Sequence, residues 1–197
     1  ECKTGYALET EGEIRALEIL RDLSGEGIVE IVPTLLAAHE IPVERRNDRE
    51  GWIREIVEDI IPRAAESGLA RFCDVFCEQG VFTVEESRRI LTAAMGAGLG
   101  LRIHADELAR SGGAMLAAEL RAASADHLLF IEEDEIRALA GSGTVAVVLP
   151  GTAWWMCTPE AETLLRNGPT PALIIRVTSR VSRNVTTNAS RHSSRGS

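Results

Sequence analysis

The chain has 197 residues, 45% of them hydrophobic and 26% charged, which is enough for one domain with a proper core. Its net charge of −9 argues against nucleic acid or an anionic membrane as partner, and no apolar run approaches the length of a membrane span. The opening stretch ECKTGYALETEGE has neither the basic nor the apolar region of a signal peptide and no initiator Met, so it reads as the inside of a longer, cytoplasmic protein.

In chain order, EGEIRALEILRDLS (11–24) sets Ile14, Leu17 and Leu20 on one face and predicts a helix. GIVEIVPTLL (27–36) is a β-branched run and predicts a strand. Residues 49–67 place Trp52, Ile53, Ile56, Val57 and Ile60 at helical spacing. ARFCDVFCE (70–78) predicts a strand, and Thr83 with Glu86 forms a capping box that opens the next helix. LGLRIHA (99–105) predicts a strand, GGAMLAAELRAA (112–123) a helix, and ADHLLF (125–130) a short strand. EEDEIRALAGSG is a helix with an acidic first turn and a glycine after its end, and TVAVVLPG (144–151) a last strand.

Strands separated by helices imply parallel β/α units, either an open doubly wound sheet or part of a (β/α)8 barrel. No phosphate-cradling glycine motif follows any strand, and SGGA (111–114) reads as a helix entry. The polar residues favour the barrel. His39 follows the first strand; Glu78 and Gln79 follow the second; His104, Asp106 and Glu107 the third. Asp126 and His127 belong to the fourth, and Pro150-Gly151 closes the fifth. In a barrel these ends share one face, where catalytic groups gather. Imidazole and carboxylate there suit Zn2+ or a similar divalent ion, which lowers the pKa of water toward ~7 for hydrolysis, with a Glu or His moving protons. Cys2, Cys73, Cys77 and Cys157 read as reduced thiols, since Cys73 and Cys77 are not at CxxC spacing. Trp154 and Trp155 read as packing residues.

The segments CKTGYALETEGEIRALEIL, PTLLAAHEIP, FCDVFCEQGVFTVEESRRIL, LRIHADELARSGGAMLAAEL, SADHL and GTVAVVLPGTAWW resemble, in order from Glu1 to Trp155, the imidazolonepropionases of the amidohydrolase superfamily. The resemblance implies a partial (β/α)8, TIM-like barrel of the metal-dependent amidohydrolase type, carrying Zn2+ or Fe. It implies ring opening of 4-imidazolone-5-propanoate to N-formimidoyl-L-glutamate in histidine breakdown. His104 would be the metal ligand. Glu107 would touch the substrate ring and help to activate or deliver water, and His127 would polarise the scissile carbonyl. Tyr6 and His39 would contact the small-molecule substrate; Lys3 matches the motif without an assigned role. Asp106 and Asp126 are expected to orient neighbouring groups. Family members are often dimeric, so a homodimer is the expected assembly.

Two departures from the family pattern stand out. Its HxH pair would lie upstream of Glu1, and its final TDFNPG aspartate has no counterpart, since no aspartate follows Asp134. With these ligands missing, the 197-residue chain alone is expected to be inactive. The composition also changes: residues 173–197 hold five Arg, six Ser and no acid. We therefore divide the chain into a barrel domain, 1–172, and a tail, 173–197, read as out of the family's reading frame; a divergent Ser/Arg-rich tail is the alternative. Competing functional readings are another cyclic amidohydrolase, an aminohydrolase acting on a heterocycle, and a non-catalytic remnant. The EQGVF and HADE segments argue for the imidazolonepropionase reading over another amidohydrolase or aminohydrolase, whereas the missing ligands are what supports the remnant reading.

Overall fold

The computed structural model describes residues 1–27, 29–149 and 173–175. The parallel strands β1 (Cys2–Lys3), β2 (Pro33–Ala38), β3 (Phe72–Cys77), β4 (Gly100–Ala105), β5 (Ser124–His127) and β6 (Val145–Val148) lie side by side in chain order. A doubly wound sheet would reverse its strand order at a switch point. This order has no reversal, so every crossover runs the same way and the sheet curls as a half-barrel. β7 (Leu173–Ile175), within the compositionally distinct tail, pairs antiparallel with β6. Pro150-Gly151, Trp154, Trp155, Cys157 and residues 176–197 lie outside the described residues.

The helices are α1 (Thr10–Glu26), α2 (Arg49–Glu55), α3 (Ile61–Glu66), α4 (Val84–Gly96), α5 (Gly113–Glu119) and α6 (Glu133–Ser142). A π-turn, Ile56–Ile60, joins α2 to α3 and keeps Ile56, Ile60 and Ile61 all buried. The capping box forms as expected: the Glu86 N–H donates to the Thr83 hydroxyl and the Thr83 N–H to the Glu86 carboxylate. α6 begins on Glu133, Asp134 and Glu135, and Gly143 turns the chain after it at φ 82°. Gly112, at φ 86°, and Gly113 lead into α5, so SGGA is a helix entry.

Alternation along the strands sorts the two faces of the sheet. Cys73, Val75 and Cys77 of β3 and Leu101, Ile103 and Ala105 of β4 are buried. They pack with Ile90 and Leu91 of α4 and Leu116 and Ala117 of α5, and this is the core. The intervening residues, Asp74 and Phe76 of β3 and Arg102 and His104 of β4, point to the other, concave face. The polar and ionisable side chains of β3 and β4 are therefore confined to one face, although the strand sequences read as nearly continuous apolar runs.

Three expectations need correction. β2 starts at Pro33 rather than at residue 27, and Val29 is exposed. Pro33 can begin a strand because that position needs no donated hydrogen bond. β5 ends at His127 rather than Phe130, because His127 and Leu128 adopt φ 76° and 60° and turn the chain away. β1 was not expected at all, being too short to show periodicity. Cys2, Cys73 and Cys77 are free thiols. No helix among the described residues is long and apolar enough to cross a membrane.

Candidate active site

The carboxyl ends of the strands bring the aromatic residues of the motifs together. The Tyr6 ring lies 5.1 Å from His39, His39 lies 6.4 Å from His104, and His104 lies 5.2 Å from His127, centroid to centroid. Phe76 packs beside both His39 and His104. Tyr6 is exposed, in the loop after β1.

Local hydrogen bonds set this arrangement. Buried Glu13 of α1 accepts from the backbone N–H groups of Gly5, Ala7 and Leu8 and so shapes the loop that carries Tyr6. His39 Nδ1 lies 3.0 Å from the Gly5 carbonyl oxygen. With Nδ1–H donating there, Nε2 is left for a ligand. Gly5 has φ 107°, and a Cβ at that position would stand 2.7 Å from the Leu36 carbonyl oxygen, so only glycine fits this turn.

The loop after β4 is held from beneath. Buried Glu78 accepts the backbone N–H groups of Glu107 and Leu108, each at 2.8 Å, and also bonds the Ser111 hydroxyl. Asp106 accepts the N–H groups of Ser111, Gly112 and Ala114, which fastens the loop to the start of α5. Glu107 faces His127 Nδ1 at 3.2 Å, too far off-line for a hydrogen bond. Burial raises the Glu107 pKa above the usual carboxylate range. Burial, with the adjacent His104, lowers His127 to about 4, so its ring is neutral at physiological pH.

At the centre sits a cluster built on Asp74, the one member that sequence reasoning missed; His104 and Asp126 were singled out, and Lys3 was noted without a role. His104 Nδ1 lies 3.1 Å from Oδ1 of Asp74, a fully buried carboxylate. The Lys3 ammonium lies 2.6 Å from Asp74 Oδ2 and 2.8 Å from Asp126 Oδ2. Asp126 Oδ1 is buried, with no hydrogen-bond partner among the described residues. Burial alone would raise Asp74, but His104 and Lys3 outweigh it and hold its carboxyl well below the usual range. Burial alone would lower Lys3 and His104; for both, the carboxylates prevail and the pKa is raised. Asp74, His104 and Asp126 together offer three donor atoms within 4.8 Å of one another. One sequence signal could have found Asp74: a lone acid in the apolar strand FCDVFC is costly to bury without a partner.

A cavity of about 520 Å³ opens beside His39, lined by Ile41, Arg46, Arg49, Phe76 and Val81. Arg49 is bound to Glu86, whereas Arg46 makes no ion pair among the described residues.

These features define a parallel β/α protein with an acid–imidazole centre at the carboxyl ends of its strands. No protein-family profile matches the chain. Curated relatives do match it. It is 49% identical over 154 residues to the imidazolonepropionase of Desulfotalea psychrophila, covering 78% of this chain and 37% of that protein. It is 47% identical to that of Alkaliphilus metalliredigens, covering 78% and 36% respectively. With that of Geobacillus thermodenitrificans it shares 49% over 175 residues, covering 88% and 41%. The chain thus groups with the imidazolonepropionases and spans about two-fifths of the length of these relatives. Among solved structures, a Xaa-Pro dipeptidase with bound methionine superposes at a TM-score of 0.49 and 15% identity, over 79% of this chain and 43% of that one, a likeness too slight to define the fold.

Proposed function

We propose that the protein containing this chain opens the ring of 4-imidazolone-5-propanoate by hydrolysis, giving N-formimidoyl-L-glutamate in histidine breakdown. The observation that carries this reading is the meeting of His39, His104, Glu107 and His127 at the carboxyl ends of β2, β4 and β5 in a chain 45–49% identical to imidazolonepropionases. We read the sheet as part of a (β/α)8 barrel and the protein as a cytoplasmic homodimer acting on a small molecule.

The donor set fits one Zn2+ or Fe ion through His104. Its Nδ1 faces Asp74, which orients the ring and leaves Nε2 as the metal-binding atom. When bound, such an ion acts as a Lewis acid and makes water more acidic. Glu107, with its raised pKa, takes a proton from the water that attacks the ring carbonyl carbon. It then returns that proton to the ring nitrogen as the C–N bond breaks. Neutral His127 donates a hydrogen bond to the carbonyl oxygen as negative charge develops there. His39 Nε2 and Tyr6 hold the ring, and Arg46 at the cavity wall, without an ion pair among the described residues, suits the substrate's carboxylate.

The test is ring opening by a full-length protein carrying this segment, followed by product mass. His104→Ala and His127→Ala should each lose at least about 100-fold. A His127→Ala protein within roughly tenfold of the parent would overturn the assignment of His127. A His104→Ala protein that keeps full activity would overturn the metal-assisted reading.

A further inference from the structure

The three donors of Asp74, His104 and Asp126 look like a ready cation site, yet a cation already occupies it: the ammonium of Lys3. We infer that Lys3 is the built-in counter-ion of the Asp74–Asp126 pair and keeps a metal ion out of it, so that His104 is the ligand this cluster supplies and the two carboxylates orient rather than coordinate.

The geometry carries the inference. Lys3 Nζ bridges the Oδ2 atoms of both aspartates, at 2.6 and 2.8 Å. A metal ion takes carboxylate oxygens at about 2.0–2.2 Å, so an ion held by those same two atoms would lie within about 5 Å of Nζ. At that range a divalent ion and an ammonium repel strongly in a low-dielectric setting. The lysine cannot easily withdraw. It sits in β1, in register with Thr34 of β2, and its side chain is only 21% exposed. Asp74 uses its other oxygen on His104 Nδ1. Asp126 keeps Oδ1 buried, with its side chain 8% exposed; among the described residues it is the one carboxylate oxygen of the pair without a partner. Lys3 is therefore a positioning residue. It ties β1 to β3 and β5 and fixes the carboxylate that orients His104. It also leaves His104 Nε2 for a metal ion whose other ligands would come from elsewhere in the protein.

The inference rests on the metal reading of this site, but its test reads zinc affinity rather than catalysis and so fails separately. Zn2+ binding to the 197-residue chain is measured by competition with a chromophoric chelator, alongside melting with and without Zn2+. Lys3→Met should bind Zn2+ at least roughly tenfold more tightly than the parent, because a neighbouring positive charge is gone. Zn2+ should also raise its melting temperature. Lys3→Met with Asp126→Asn should fall back to the parent affinity, and Lys3→Arg, which keeps the charge, should stay weak. Asp126→Asn in the otherwise native chain should leave Zn2+ binding unchanged, which keeps the inference testable if Lys3→Met folds poorly. A folded Lys3→Met that gains no affinity, or a native chain that loses Zn2+ through Asp126→Asn, overturns the inference. The hydrolase reading instead stands or falls with ring opening by the full-length variants.

Discussion

Substituting Asp74 by Asn should destabilise the protein well beyond an ordinary surface change. The substitution keeps the side chain's size and removes only its charge. Asp74 is fully buried and faces two partners, Lys3 Nζ at 2.6 Å and His104 Nδ1 at 3.1 Å. Breaking one partner of a buried ion pair costs about 3–5 kcal/mol. Lys3 retains Asp126 at 2.8 Å, which places the loss near the lower end, about 3 kcal/mol. In a chain of this size 1 kcal/mol moves the melting temperature by about 2–4 °C, so Asp74→Asn should lower it by about 6–12 °C. Thermal melts and urea titrations in chelator-treated buffer measure this directly. Adding Lys3→Met to Asp74→Asn should cost less than the sum of the two single changes, because each single change leaves the other charge short of one of its partners. A shift under about 2 °C for Asp74→Asn, or strict additivity in the double variant, would refute the claim that these charges depend on one another.

Thr83→Ala removes the hydroxyl that accepts the Glu86 N–H and should cost about 1 kcal/mol by urea titration, with the helical signal retained. Gly5→Ala should lower the melting temperature and weaken substrate binding more than it slows turnover in the full-length protein, since it forces a Cβ against the Leu36 carbonyl and shifts the loop that carries Tyr6 and bonds His39. The Arg49 guanidinium hydrogen-bonds Glu86 and lowers its pKa, so this pair adds stability above the unfolded Glu value near 4.3 and loses it as pH falls through the folded value. Arg49→Met should therefore remove stability at neutral pH and flatten the acid limb of the stability–pH curve. An unchanged acid limb would show that the pair contributes nothing there.

Much of this molecule was legible in one dimension. Helix α1 announced itself through apolar periodicity, α4 through its capping box and α6 through its acidic first turn and closing glycine, because those signals depend on near neighbours in the chain. β3, β4 and β6 showed as β-branched or apolar runs between turn residues. The motifs HADE and SADHL marked His104, Glu107 and His127 as chemistry at strand ends. Other features depend on contacts between distant segments. The sequential strand order, which separates a curled half-barrel from a doubly wound sheet, is a property of pairing and leaves no trace in composition. The register that brings Lys3 to Asp74 and Asp126 spans 71 and 123 residues. β1, two residues long, exists only because β2 is there to pair with it. Sequence alone therefore established which side chains carry charge and where strands begin to end. The tertiary structure decided which charges face one another, because burial in a shared concave face turns isolated acids and a lysine into a single coupled group.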